Sequence, residues 1–171
     1  MIQLGCISLI LVLFLLQPTK AHANMVWPAL YLEIRLCSWW AVLVGLLIEY
    51  LFVRWLFKLP PLRALWADIL ANTFSAIVGI LLIPLAGIVW ELFPGSLYMW
   101  IFNWGTFNPL TWLGTILIAS FINTLLERLV YKKIFHLNIG FKQKEFRWLF
   151  IANFLTVVIA FASLWIMPLE L

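Results

Sequence analysis

Two glutamates and two asparagines stand in stretches otherwise apolar enough for hydrocarbon, and they come in the same order twice. Leu47-Ile48-Glu49-Tyr50-Leu51 recurs 78 residues further on as Leu125-Leu126-Glu127-Arg128-Leu129, and Ala71-Asn72 recurs as Ala152-Asn153. An acidic side chain at the centre of a spanning helix costs roughly 2.5 to 3.5 kcal/mol on insertion scales, so each needs a reason to be there. Two chemistries supply one. A protonated Glu hydrogen-bonded to an Asn amide joins helices, at about 0.6 to 2 kcal/mol per bond. Alternatively, two carboxylates and two amide oxygens converging on one axis hold a proton or a small cation.

The elements that position them follow from composition. The chain has 171 residues, 65% hydrophobic and only 11% charged, with a mean hydropathy of +1.07. That is more apolar surface than one water-soluble core of this size can hide, so lipid is the expected solvent. Backbone groups in lipid must be satisfied within helices or a closed barrel. The apolar runs lack the alternation of barrel strands, which leaves helices.

Residues 1–23 read as a signal peptide. Ile7 to Leu16 is too short to span a bilayer, and Ala21-His22-Ala23 places small residues before a cleavage point. The first residues, Met1 to Gly5, carry no Lys or Arg. An uncleaved anchor and a start at Met25 are the other readings of this stretch.

Four spans are expected at about 36–57, 65–90, 110–129 and 148–167. Arg54, Lys58 and Arg63 flank the first turn, and Arg128, Lys132, Lys133, Lys142, Lys144 and Arg147 the third. This bias predicts both turns in the cytoplasm and both termini outside an inner membrane. It also accounts for the basic pI near 9.3 without a nucleic-acid partner, because a basic rim contacts anionic headgroups. The remaining partners are the bilayer itself and another membrane protein or a second copy.

Between the hairpins, residues 94–109 form an aromatic segment. Tyr98, Trp100, Phe102, Trp104 and Phe107 lie between Pro94-Gly95 and Asn108-Pro109, which predicts a short helix over Ser96 to Trp104 at the periplasmic headgroup level. Cys37 is alone after the signal segment, and His136 is the single histidine there. No cofactor or metal set is expected. No histidine lies within a span to activate Ser38, Ser75, Ser120 or Ser163, so an enzyme is the least favoured class.

The expected fold is therefore an all-α membrane protein of two tandem hairpins, residues 24–93 and 110–171, related as a parallel repeat about the membrane normal. Helical spacing puts Ser38, Ala41, Gly45 and Glu49 on one face of the first span, and Asp68, Asn72, Ser75 and Gly79 on one face of the second. Thr115, Ala119, Asn123 and Glu127 line the third, and Asn153, Thr156, Ala160 and Ser163 the fourth. Glu49 and Asn72 each lie about 13 Å from the charged turn at 1.5 Å per residue, so they face one another. Glu127 and Asn153 form the equivalent pair. Arg54 and Asp68, at matching shallower depth, are expected as an ion pair across the first hairpin. Pro84 should bend the second span. Two functions fit: a non-catalytic scaffold or accessory subunit of a membrane complex, and, as the alternative, a small cation- or proton-linked carrier or channel built on Glu49, Asn72, Glu127 and Asn153.

Overall fold

The structure, a computed structural model, describes residue 32, residues 38–90, residue 92, residues 96–102 and residues 109–166. The expected signal peptide and Cys37 lie outside them. The described chain is all helical: α1 Trp39–Phe57, α2 Pro61–Trp90, α3 Ser96–Phe102, α4 Pro109–Lys133 and α5 Lys144–Ile166. Four of these, all but α3, are long and apolar enough to cross a membrane.

Local chemistry sets the ends. Lys58 adopts a left-handed conformation at φ 51° and stops α1, and Leu59-Pro60 leads directly into Pro61, the first residue of α2. Proline suits that position because its missing N–H would be unbonded there anyway. The Pro60 carbonyl accepts the Ala64 N–H at 2.9 Å. Pro109 opens α4 in the same way. Glu145 sits in the first turn of α5, where its charge complements the helix dipole. Helix α2 continues through Pro84.

Helices α2, α4 and α5 run several residues further toward the basic end than the apolar stretches that predict them. Hydropathy falls at Lys132, Lys133 and Lys144, but the backbone ladder does not need apolar side chains.

Around the bundle the order is α1, α2, α4, α5 and back to α1. The basic end is closed by a cluster of Val53, Ala67, Ala71, Val130, Tyr131, Ile139, Phe146 and Leu149. The 134–143 connection folds over it. Arg128 Nε donates to the Ile139 carbonyl at 2.8 Å, its guanidinium lies 4.0 Å from the centre of the Phe141 ring, and Ile139 is 1% exposed. Arg63 donates to the Phe135 carbonyl at 3.2 Å and so ties the first turn to the second. A second cluster, Leu32, Ile116, Ala119 and Val157, lies toward the opposite end. The polar residues occupy the space between them.

Candidate functional site

The buried stripe of α1 is Ala41, Gly45, Glu49 and Val53, each step one turn, so Glu49 projects inward. Asn72 meets it from α2, its Nδ2 donating to Glu49 Oε2 at 2.7 Å. On the other side, Thr156 of α5 donates its hydroxyl to Glu49 Oε1 at 2.7 Å. Both carboxyl oxygens of Glu49 are thus engaged, and α1 is tied to both its neighbours.

The second pair repeats this partway. Asn153 Nδ2 donates to Glu127 Oε2 at 2.8 Å, joining α5 to α4. The details correspond closely: Asn72 and Asn153 each also donate to the carbonyl four residues back, at 3.2 Å in both cases. Three residues after each Asn comes a hydroxyl within hydrogen-bond distance of the Asn carbonyl, Ser75 at 3.1 Å and Thr156 at 2.9 Å, and Thr156 shares its one proton between that carbonyl and Glu49. The structure therefore brings Glu49 to Asn72 and Glu127 to Asn153.

The pairs then part. Ser75 approaches Glu127 as Thr156 approaches Glu49, but the well-formed hydrogen bond of its hydroxyl is to the Asn72 carbonyl at 3.1 Å, and none of that quality reaches Glu127 Oε1. Asn153 Oδ1, the Tyr131 hydroxyl and Asp68 Oδ2 are likewise buried without one. Asp68, Glu127, Tyr131 and Asn153 are all 1% exposed or less. Asp68 and Glu49 are close enough to act electrostatically on both Glu127 and Tyr131. Four unpartnered polar atoms thus belong to side chains of one interior region, where nearly all buried polar groups are normally bonded.

The expected Arg54–Asp68 ion pair does not form. Asp68 lies on the buried stripe of α2 with Ala64, Ala67 and Ala71, and its Oδ1 accepts from Asn72 Nδ2 at 3.2 Å. Arg54 follows Val53, which is fully buried, and one residue of helix rotates it about 100° out of that stripe to an exposed position. Equal depth gave height on the bundle but not direction.

Thr156, Ser75 and Tyr131 were the residues that the paired Glu and Asn did not reveal. The first two were legible as an Asn-x-x-hydroxyl spacing present in both copies, Asn72 to Ser75 and Asn153 to Thr156. Tyr131 was masked by its neighbours Lys132 and Lys133. Glu49, Asp68 and Glu127 do not assemble into a metal-ligand group among the described residues.

A cavity of about 310 Å³ lies against this region between the helices. Glu49, Asn72, Ser75 and Thr156 reach its polar side, and Asn123 lines it from α4. No family model, no curated protein and no solved structure matches the chain.

Proposed function

We propose that this is a small integral membrane carrier coupled to protons, with Glu127 and Asp68 as the proton-exchanging pair and Asn153 and Tyr131 as their polar neighbours. The observation that carries the reading is the difference between the two Glu sites. A packing determinant in hydrocarbon needs its oxygens satisfied, and Glu49 meets that requirement. Glu127 and Asp68 each keep a buried oxygen unpartnered, an arrangement that costs stability and suits a group that must gain and lose a proton. A proton is preferred to a multivalent cation because the three carboxyls do not form a ligand set.

The repeat supports this division of labour. In the ring order α1, α2, α4, α5, a half-turn about the bundle axis would carry α1 to α4 and α2 to α5, as a duplicated hairpin requires. In that correspondence Asp68 falls opposite Leu149 and Tyr131 opposite Val53. Asp68 and Tyr131 are two of the polar residues without a polar counterpart, and both lie near Glu127, as if one copy kept the structural role and the other acquired the chemical one. The basic end faces the cytoplasm, both termini lie outside, and residues 1–23 direct insertion.

The test is charge removal without change of shape. In proteoliposomes holding a pH-sensitive dye and driven by a potassium diffusion potential, Glu127→Gln and Asp68→Asn abolish proton entry while the protein still inserts. Glu49→Gln retains it. Proton entry that survives both substitutions, or that the wild type never shows, would sink the reading.

A scaffold remains the second reading because of a specific surface. Trp55 and Trp148 meet edge to face at 5.4 Å on the outer side of α1 and α5, with Phe52 beside them, a rigid aromatic pad suited to a partner helix. Co-purification in mild detergent that is lost on Trp148→Ala supports this reading.

A further inference from the structure

We propose that the cavity is a binding site for a neutral, hydroxyl-headed lipid that enters sideways from the bilayer. The inference deepens the carrier reading by naming its substrate class, and relies on that reading for purpose but not for geometry.

The geometry begins at the turn. Helices α1 and α2 are held together by a three-residue connection, yet they have the sparsest contact of any neighbours in the ring. Beyond Glu49 and Ile69, on the side away from the basic turn, the cavity borders both helices, and α4 and α5, with Leu32, supply the rest of its wall. Its most exposed lining residues, Val42 and Thr73, mark the seam between these two helices, so the cavity opens there. An opening between two membrane-crossing helices faces hydrocarbon, and whatever enters comes from the lipid. At about 310 Å³ the cavity matches the smallest ligand pockets. It accepts a head and the first part of a chain, with the rest extending between the helices.

The lining specifies the head. Most of it is apolar, and among the described residues no Lys, Arg or His contributes. The one ionisable group among its described residues, Glu49, has both oxygens engaged. A phosphate or carboxylate would find no counter-charge and would have to leave water for the bundle interior. Hydrogen-bonding capacity is nevertheless present. The Asn123 carboxamide has no hydrogen-bond partner among the described residues, and its Oδ1 lies 3.6 Å from where a Cβ on Gly79 would stand. Glycine at 79 leaves that space to the cavity. A hydroxyl placed there both donates to Asn123 Oδ1 and accepts from its Nδ2, so a head that is uncharged and has both capacities is the one that fits.

The experiment uses the purified full chain in phosphatidylcholine nanodiscs with a diazirine-bearing long-chain primary alcohol as probe. Photolabelling should map to α1 near Val42 and Leu46 and to α2 near Thr73 to Ile80. Unlabelled hexadecanol should compete at least tenfold better than hexadecyl phosphate. Ala76→Phe, which fills the cavity, should abolish labelling, and Asn123→Leu should weaken it about five- to tenfold, as loss of one or two hydrogen bonds implies. If Ala76→Phe does not accumulate, Ile80→Trp fills the same wall. Label spread evenly over Leu43, Leu47 and Leu51, equal competition by the phosphate, or labelling unaffected by a well-folded filled variant overturns the proposal. Glu127 does not line the cavity, so Glu127→Gln leaves labelling intact. Failure of proton entry with intact labelling removes only the proton reading, and the converse removes only this one.

Discussion

Replacing Thr156 with Val keeps the shape of the side chain and deletes one hydroxyl, which removes the bond between α5 and Glu49 together with the local contact to the Asn153 carbonyl. The bond is short, 2.7 Å, and it joins residues 107 positions apart. A hydrogen bond between membrane helices contributes about 0.6 kcal/mol on average and about 1.7 at most. Its removal also leaves Glu49 Oε1 buried and unpaired, at about 1 to 3 kcal/mol. Allowing for overlap between these figures, Thr156→Val should destabilise the bundle by about 2 kcal/mol. For a chain of this size that is a fall in Tm of about 4 to 8 °C. Thr156→Ser keeps the hydroxyl and loses one methyl, so it should cost less than about 1 kcal/mol. The assay is thermal unfolding in mild detergent, followed by size exclusion and helical circular dichroism. In a Glu49→Gln background the Val substitution should cost about 1 kcal/mol less, because the two changes disrupt one interaction. A Ser variant as damaged as the Val variant would show that the methyl contact with Gly45 matters and the hydroxyl does not. Additive effects of Thr156→Val and Glu49→Gln would refute the bond itself.

Further outcomes test other parts of the structure. A Cβ built on Gly45 lies 3.6 Å from Thr156 Cβ, within disulfide range; Gly45→Cys with Thr156→Cys, in a chain with Cys6 and Cys37 changed to Ser, should oxidise readily, whereas a cysteine at exposed Leu47 should not pair with position 156. Arg128→Ala removes the clamp on Ile139 and the cation over Phe141, so the 134–143 connection should become several-fold more sensitive to trypsin at Lys132, Lys133 and Lys142. Reporter fusions at Gln143 should give a cytoplasmic signal; a periplasmic one reverses the proposed orientation. Truncating Glu49 to Ala should lower the yield of folded protein more than Glu49→Gln does, since it abandons the donors of both Asn72 and Thr156.

How much of this was legible in the sequence depends on which physical quantity each feature needs. Hydropathy finds the four long helices because an apolar run as long as Leu65 to Trp90 can satisfy its backbone in lipid only by coiling into a helix. It misplaces their basic ends because Lys132 and Lys144 interrupt the apolar signal without interrupting the helix. Depth counting pairs Glu49 with Asn72 and Glu127 with Asn153, since height along a helix is linear in residue number. It fails for Asp68 and Arg54 because a pairing also needs direction around the axis, and the run of alanines at 64, 67 and 71 is the sign that Asp68 points inward. The bond from Thr156 to Glu49 needs the ring order of the helices, which no local pattern contains. The cavity needs the packing of all four long helices, since residues of each line it, and no local pattern contains that.

The ring order has a consequence for biosynthesis. Helices α1 and α2 leave the ribosome first, carrying Glu49, Asp68 and Asn72, but their densest packing is with helices that do not yet exist, α5 for the first and α4 for the second. In the proposed bilayer setting, three polar side chains lie during that interval in a half-made bundle whose remaining walls are lipid. On that reading the first hairpin waits for its partners, and the last helix to be synthesised closes the circle by delivering Thr156 to Glu49. Quality-control proteases that survey unpaired polar groups in the bilayer have this interval in which to act, so a chain stalled before residue 144 should be cleared quickly even though its first two spans are intact.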